Sequence, residues 1–160
     1  MLKHQFLFAV TTVAVLAGCA STPQPVSLAD TLANQPQLSS LNQLVIKAGL
    51  VDTFKGTGPL TVFAPSNEAF AKVPAKTMEG FAADPVKLKA MLTYHVITGK
   101  VMVADVKNGN NKTVNGANLA LSKAGEFVTV EDALVLTPDI SATNGVVHIV
   151  DTVLLPPASR

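Results

Sequence analysis

The chain changes its hydrophobic period once along its length, and that change limits the folds open to it. Up to Met91-Leu92 the apolar residues recur mostly at helical spacing. Ser27 precedes Leu28, Thr31 and Leu32, which predicts a short helix ending near Asn34. Ser40 and Gln43 stand at capping-box spacing ahead of the stripe Leu41, Leu44, Val45 and Ala48, with Gly49 as its stop. A helical turn is expected after Ser66. Asp84-Pro85 supplies an N-cap and a first-turn proline for a helix that places Leu88, Met91 and Leu92 on one face. One short apolar run, 60–64, interrupts this half after Gly58-Pro59. From Tyr94 onward the apolar residues come in short, β-branched runs split by turn signals. Residues 94–97 read as a strand, Asn115-Gly116 as a hairpin turn, and 127–130 with 134–136 as a second hairpin around Glu131-Asp132. Asn144-Gly145 turns the chain into 146–150, and a further strand is expected at 153–155 before Pro156-Pro157. Helices grouped first and strands grouped later predict an α+β domain.

The front of the chain obeys a different rule. Lys3 and His4 precede an apolar stretch, 6–16, that ends in Leu16-Ala17-Gly18-Cys19. The stretch is too short for a permanent bilayer span and its flanks suit a cleaved export signal, so residues 1–18 are read as a signal peptide. Its ending resembles the bacterial lipobox. That resemblance implies cleavage before Cys19, a diacylglyceryl group on its thiol and acylation of the new amino terminus. An ordinary signal with a cysteine near its end is the alternative; a core helix would need an amphipathic period that the segment lacks. By resemblance to lipoproteins of bacteria with two membranes, Ala20 after the cysteine, rather than an aspartate, implies the outer membrane over the inner one in such a host. Cys19 is the only cysteine, so the chain can form no disulfide within itself. Residues 20–26 contain two prolines and small residues, and read as a short tether. A domain over 27–157 and a tail over 158–160 complete the division.

Of 160 residues, 48% are apolar and 14% charged, enough for a core and too little charge for a disordered chain. With 5% aromatics and no Trp, that core must be built from Val, Leu, Ile and Ala. Beyond residue 18 the chain carries eleven Lys and Arg against eleven Asp and Glu. A neutral chain without a basic block has no footprint for nucleic acid.

Three segments resemble the fasciclin domain family. They are Thr61-Val62-Phe63-Ala64-Pro65-Ser66-Asn67-Glu68-Ala69-Phe70, then Tyr94-His95-Val96-Ile97, then Asn144-Gly145-Val146-Val147-His148-Ile149-Val150-Asp151 leading into Val153-Leu154-Leu155-Pro156. The helical stripe that opens the domain matches as well, and the resemblance covers roughly 27–156. The family more often has threonine where this chain has Ser66, and either caps a helix. The resemblance implies a compact β-sandwich flanked by short helices. Within it Phe63, Pro65, Ser66, Phe70, Asn144, Gly145, His148 and Asp151 are expected to be structural, Gly145 by giving the turn its backbone freedom.

The same resemblance links the positions of Tyr94 and His95 to adhesion, and Pro138-Asp139-Ile140 looks like a short Asp-Ile motif tied to integrin recognition in animal relatives. Tyr94, His95, Asp139 and Ile140 are therefore the candidate binding residues. Against this stands a plainer reading: His95 and His148 are buried neutral imidazoles bonded to backbone, Tyr94 packs beside them, and Pro138-Asp139 is a bend with Ile140 turned inward.

Catalytic chemistry finds little support. No Gly-x-Ser-x-Gly elbow or glycine-rich phosphate loop is present, and Glu131-Asp132 is badly placed for paired-carboxylate work. No clustered His, Asp and Glu offers a metal site, so no cofactor is expected. The expectation is a binding module at the cell envelope, attached to the membrane through lipid on Cys19 and contacting another envelope protein or a surface polymer. The alternatives are a periplasmic lipoprotein that holds a small ligand or lipid, and a self-associating structural protein. The partner's identity and the oligomeric state are not encoded in any motif.

Overall fold

A computed structural model describes residues 26–157; Cys19, the signal peptide, the tether up to residue 25 and the tail at 158–160 lie outside them. The first helix, α1 (Leu28–Asn34), starts as its sequence predicts, with extended Ser27 accepting the Asp30 N–H. The second, α2 (Ser39–Lys47), does not start at a serine cap. A 3-10 turn at Pro36–Leu38 leads straight into it, so the backbone is already helical where a cap must be extended. Asn67 supplies the missing acceptor from outside: its Oδ1 takes the Ser40 N–H at 3.0 Å. Gly49 ends the helix at φ +67, and the Leu50 N–H reaches back to the Val45 carbonyl.

Two helices escape the sequence reading. The helix α3 (Val51–Lys55) is barely more than one turn, and α5 (Ala75–Ala83) buries no residue fully. Between them, α4 (Asn67–Lys72) is capped by Ser66, whose Oγ accepts the Ala69 N–H at 3.2 Å. The helix α6 (Pro85–Tyr94) is capped by Asp84, which accepts from Val86 and Lys87. It runs through Tyr94, so the strand expected at 94–97 is shorter.

Among the described residues, seven strands follow the order β2-β1-β7-β6-β5-β4-β3. They are β1 (Leu60–Pro65), β2 (Val96–Thr98), β3 (Gly109–Lys112), β4 (Asn118–Ala124), β5 (Phe127–Val130), β6 (Ala133–Ala142) and β7 (Gly145–Val150). Only β1 and β7 pair in parallel, Leu60 against Gly145 through to Pro65 against Val150. A lone bridge between Ile97 and Thr113 brings the two ends of the sheet together. The layers of the expected sandwich are thus opposite walls of one sheet that curls until it nearly closes.

That curl divides the core. Outside the curl, Val62, Ala64, Val147 and Ile149 meet Leu28, Leu32, Leu41, Leu88 and Met91 from the helices. Inside it, Phe63, Leu119, Leu121, Val130 and Val150 pack on one another. Strands β1 and β7 carry both faces, which explains why 146–150 is continuously apolar around one histidine. The expected strand at 153–155 joins no ladder; Val153 and Leu154 are buried as an extended segment, held by a side chain described next.

Candidate functional site

His95 caps α6 at its junction with β2, and its ring is 1% exposed. Its Nδ1 donates to the Met91 carbonyl at 2.8 Å, and its Nε2 accepts the Leu154 N–H at 2.9 Å. An acceptor at Nε2 requires the neutral ring with its proton on Nδ1. Burial pushes the imidazole down to about 4, opposed by the Met91 carbonyl. Each partner is backbone, so the ring ties α6 to the C-terminal segment and leaves no nitrogen for another task.

Tyr94 is 3% exposed, its ring inside the curled sheet and its hydroxyl at the rim. The hydroxyl donates toward the Asn118 carbonyl at 3.2 Å and lies 3.4 Å from Glu131 Oε1. Burial raises the phenol's pKa, and the Glu131 charge adds to this. Glu131 sits at φ 53 in the turn between β5 and β6, and the same Oε1 accepts the Ala120 N–H at 2.9 Å. A cleft of about 500 Å³ opens over this group, bounded by Asn118, Glu131, Asp132, Leu154, Leu155 and Tyr94. Sequence reasoning noticed Glu131-Asp132 as a hairpin turn and as an acid pair badly placed for catalysis, and did not connect it to Tyr94. The left-handed residue that aims Glu131 at Tyr94 leaves no mark in hydrophobic pattern.

Asp139 and Ile140 lie elsewhere. The register of β6 against β7 slips between Val135 and Thr137 and again between Thr137 and Ile140. Within the second slip Asp139 takes φ 57 and donates its N–H to His148 Nδ1 at 3.1 Å. Its carboxylate accepts the Val103 N–H at 2.9 Å, while His148 Nε2 donates to the Val101 carbonyl at 2.8 Å. His148 stacks on Phe63 with ring centroids 5.5 Å apart, and burial lowers its pKa against the opposing effects of Val101 and Asp139. Ile140 packs against the helical core. Asp139 and His148 therefore brace the 101–103 segment against the sheet. The four candidate binding residues do not converge: the Tyr94–His95 pair and the Asp139–Ile140 pair serve different parts of the fold.

The remaining motif residues hold the two ends of the central strands. At one end Asn144 Oδ1 accepts the Leu28 N–H at 2.8 Å, and its Nδ2 donates to the Phe54 and Gly56 carbonyls, both at 2.8 Å. Gly145 beside it does not take a left-handed φ, so backbone freedom is not its role. A Cβ there would stand 1.9 Å from the Leu60 carbonyl oxygen, so glycine is required for strand approach. At the other end Asp151 accepts the Leu134 N–H at 2.8 Å and pairs with Lys72 at 3.4 Å. Partial burial would raise this carboxyl, but the Leu134 N–H, Thr152 and Lys72 hold it below the usual range. Pro65 closes β1, and Phe70 drops into the helical core.

Because β1 and β7 run parallel, these ends are distinct poles about 17 Å apart. The chain enters at the first, where the Val26 carbonyl accepts the Thr143 N–H at 2.9 Å. The Tyr94 cleft belongs to the second, beside Asp151 and the Glu131-Asp132 turn. Among the described residues no three His, Cys, Asp or Glu side chains cluster in a way that could hold a metal.

Comparison with known proteins gives a consistent result. A family model described as the Fasciclin domain matches residues 36–156. Protein sll1483 of Synechocystis sp. is 38% identical over 140 residues, covering 86% of this chain and 78% of its own. Immunogenic protein MPB70 of Mycobacterium bovis is 37% identical over 139 residues, covering 84% and 70%. The cell surface glycolipoprotein MPB83 of the same species is 37% identical over 148 residues, covering 89% of this chain but 64% of its own length. Among solved structures, the FAS1 domain pair of the insect cell adhesion molecule Fasciclin I superposes with a TM-score of 0.65 at 17% identity, over 82% of this chain and 51% of that one.

Proposed function

Since the chain belongs to the fasciclin domain family, we propose that it is an extracytoplasmic interaction module, held at the cell envelope by lipid on Cys19, that binds an envelope protein or surface polymer in adhesion or matrix attachment. The observation that carries this reading is the two-ended layout. The chain enters at the Thr143-Asn144 pole, and the cleft lined by Tyr94, Glu131, Asp132 and Leu155 lies at the opposite one. A tethered domain of this shape turns that cleft away from its anchor. The cleft combines an exposed apolar side chain, Leu155, with an acidic rim and a phenol at its floor. Support for the location comes from a relative described as a cell surface glycolipoprotein. In a host with two membranes, Ala20 favours the outer one.

A binding role also suits the histidines. Each ring bonds backbone through both nitrogens, so neither can act as a general base without dismantling the fold. His95 and Tyr94 contribute to recognition by holding the cleft, and Asp132 and Leu155 are the side chains a partner would touch. The test is a crosslinking pull-down from intact cells with the full chain and its Asp132→Lys, Leu155→Ser double variant. The wild type should recover one dominant envelope component, and the variant should lose it at unchanged thermal stability. Equal recovery by both forms, or normal attachment by cells lacking the protein, would sink the proposal.

A small-ligand role has one observation in its favour: a cleft of about 500 Å³ falls in the range of small-molecule sites. A ligand at a hundredfold above its dissociation constant would add roughly 2.7 kcal/mol of stability, so a thermal-shift screen over lipids and metabolites separates the two readings.

A further inference from the structure

We propose that the pole at which the chain enters the domain is a seat for anionic lipid headgroups, so that the domain stands on the membrane in a fixed orientation; this rests on the tethered reading above. A cleft of about 490 Å³ opens at that pole between the 55–59 loop and the hairpin at Thr143-Asn144. Its only charged lining residues are Lys55 and Lys100, one from each side of β1 in sequence, both exposed. Neither lysine is in an ion pair among the described residues. Asp52 stands three residues before Lys55 in α3, and Lys55 acts on Asp30, whose carboxylate accepts the Ser27 hydroxyl at 2.6 Å. One wall is Gly56, Thr57, Gly58 and Pro59 and the other runs from Ala142 to Gly145, all uncharged and mostly small, so a headgroup layer can approach the two ammonium groups.

The length of chain outside the described residues selects the occupant. Residues 20–26 can span at most about 25 Å when fully extended. The Val26 carbonyl is bonded to Thr143, which itself lines the cleft. Lipid on Cys19 therefore keeps this pole within about 25 Å of the bilayer, and the charge it meets there is phosphate. A lysine near an anionic surface raises occupancy about fivefold, within a screening length of the headgroups. The pole at Lys72 and Asp151, at the far end of the same strands, is turned away from that layer when the seat is occupied.

The experiment uses the full chain, isolated with its anchor and reconstituted on vesicles of phosphatidylethanolamine with phosphatidylglycerol, or of phosphatidylcholine alone. Amine-reactive labelling is read by mass spectrometry at Lys55 and Lys100, with Lys72 as the internal reference. On the anionic vesicles Lys55 and Lys100 should label about fivefold more slowly relative to Lys72, and high salt should abolish the difference. A Lys55→Glu, Lys100→Glu variant should stay vesicle-bound through its lipid while amide exchange at 142–145 becomes the same on both vesicle types. Equal Lys55 and Lys100 labelling on the two lipids would overturn the seat, as would protection by inorganic phosphate alone, which would assign the cleft to a soluble anion. The tether is read separately, from the mass of the Cys19 peptide and the membrane retention of a Cys19→Ala chain. If Cys19 carries no lipid, salt-sensitive sedimentation of the chain with anionic vesicles alone keeps the seat, and its absence removes both.

Discussion

His95 holds the C-terminal segment of the domain by a single bond: its Nε2 accepts the backbone N–H of Leu154 at 2.9 Å, across 59 residues of sequence. The bond exists only while the ring is neutral. Burial sets the folded value at about 4 against an ordinary 6.5, so between those values the unfolded chain binds the extra proton. Stability should therefore be full above pH 6.5 and fall by about 3 kcal/mol as pH drops toward 4. His148, also lowered by burial, acts in the same direction. Urea titrations at stepped pH should show this slope in the wild type and a shallower one in His95→Gln, which should start from lower stability at pH 7. A flat wild-type profile from pH 7 to pH 4 would refute the assignment.

Asn144 joins α1, the end of α3 and the β6–β7 turn with three bonds, each at 2.8 Å. Asn144→Ala should cost about 2–4 kcal/mol, since each bond contributes roughly 1 kcal/mol and partly buried partners lose theirs. Asn144→Asp should also destabilise, because a carboxylate accepts from Leu28 but cannot donate to Phe54 and Gly56. Equilibrium unfolding of the two variants checks both; an Asp variant as stable as wild type would contradict the donor role.

Two glycines should respond oppositely to what turn chemistry alone suggests. Gly49, at φ +67, has open space around it, and Gly49→Ala should cost only the left-handed penalty of about 1–2 kcal/mol. Gly145 has an ordinary φ, yet an added Cβ would meet the Leu60 carbonyl oxygen at 1.9 Å and Leu28 Cδ1 at 3.0 Å. Gly145→Ala should cost more than about 4 kcal/mol or prevent folding. Thermal unfolding and soluble yield of the two variants decide the order.

At the far pole, Asp151→Asn should be mild and Asp151→Ala severe. The pair with Lys72 is solvent-exposed and contributes at most about 1 kcal/mol, which is all the Asn variant loses. The Ala variant also strips the Leu134 N–H of its acceptor, adding about 1–3 kcal/mol. Denaturant midpoints of both variants test the difference.

The sequence disclosed most of the scaffold because its signals are local. Ser27, Ser66 and Asp84 cap the helices they precede, and the Glu131-Asp132 hairpin follows from adjacent residues. What stayed hidden depends on residues far apart. Ser40 reads as a cap until Asn67 is seen to take its N–H, and Gly145 reads as a turn glycine until Leu60 arrives beside it. The candidate site suffered most. Tyr94 and His95 are adjacent in sequence, but their functions are set by Glu131 and Leu154, and no period or motif connects those pairs.

The parallel pairing of β1 with β7 has a consequence for how the protein is made. Leu60 has its neighbour Gly145 only when nearly the whole chain has been synthesised, so the central ladder cannot assemble as the polypeptide emerges. Domains dominated by such distant pairings fold late and slowly, and expose strand edges meanwhile. On the proposed reading, in which the chain crosses a membrane before it folds, that delay would keep it export-competent, and any premature stop before residue 145 would release a product with its sheet unfinished at the centre.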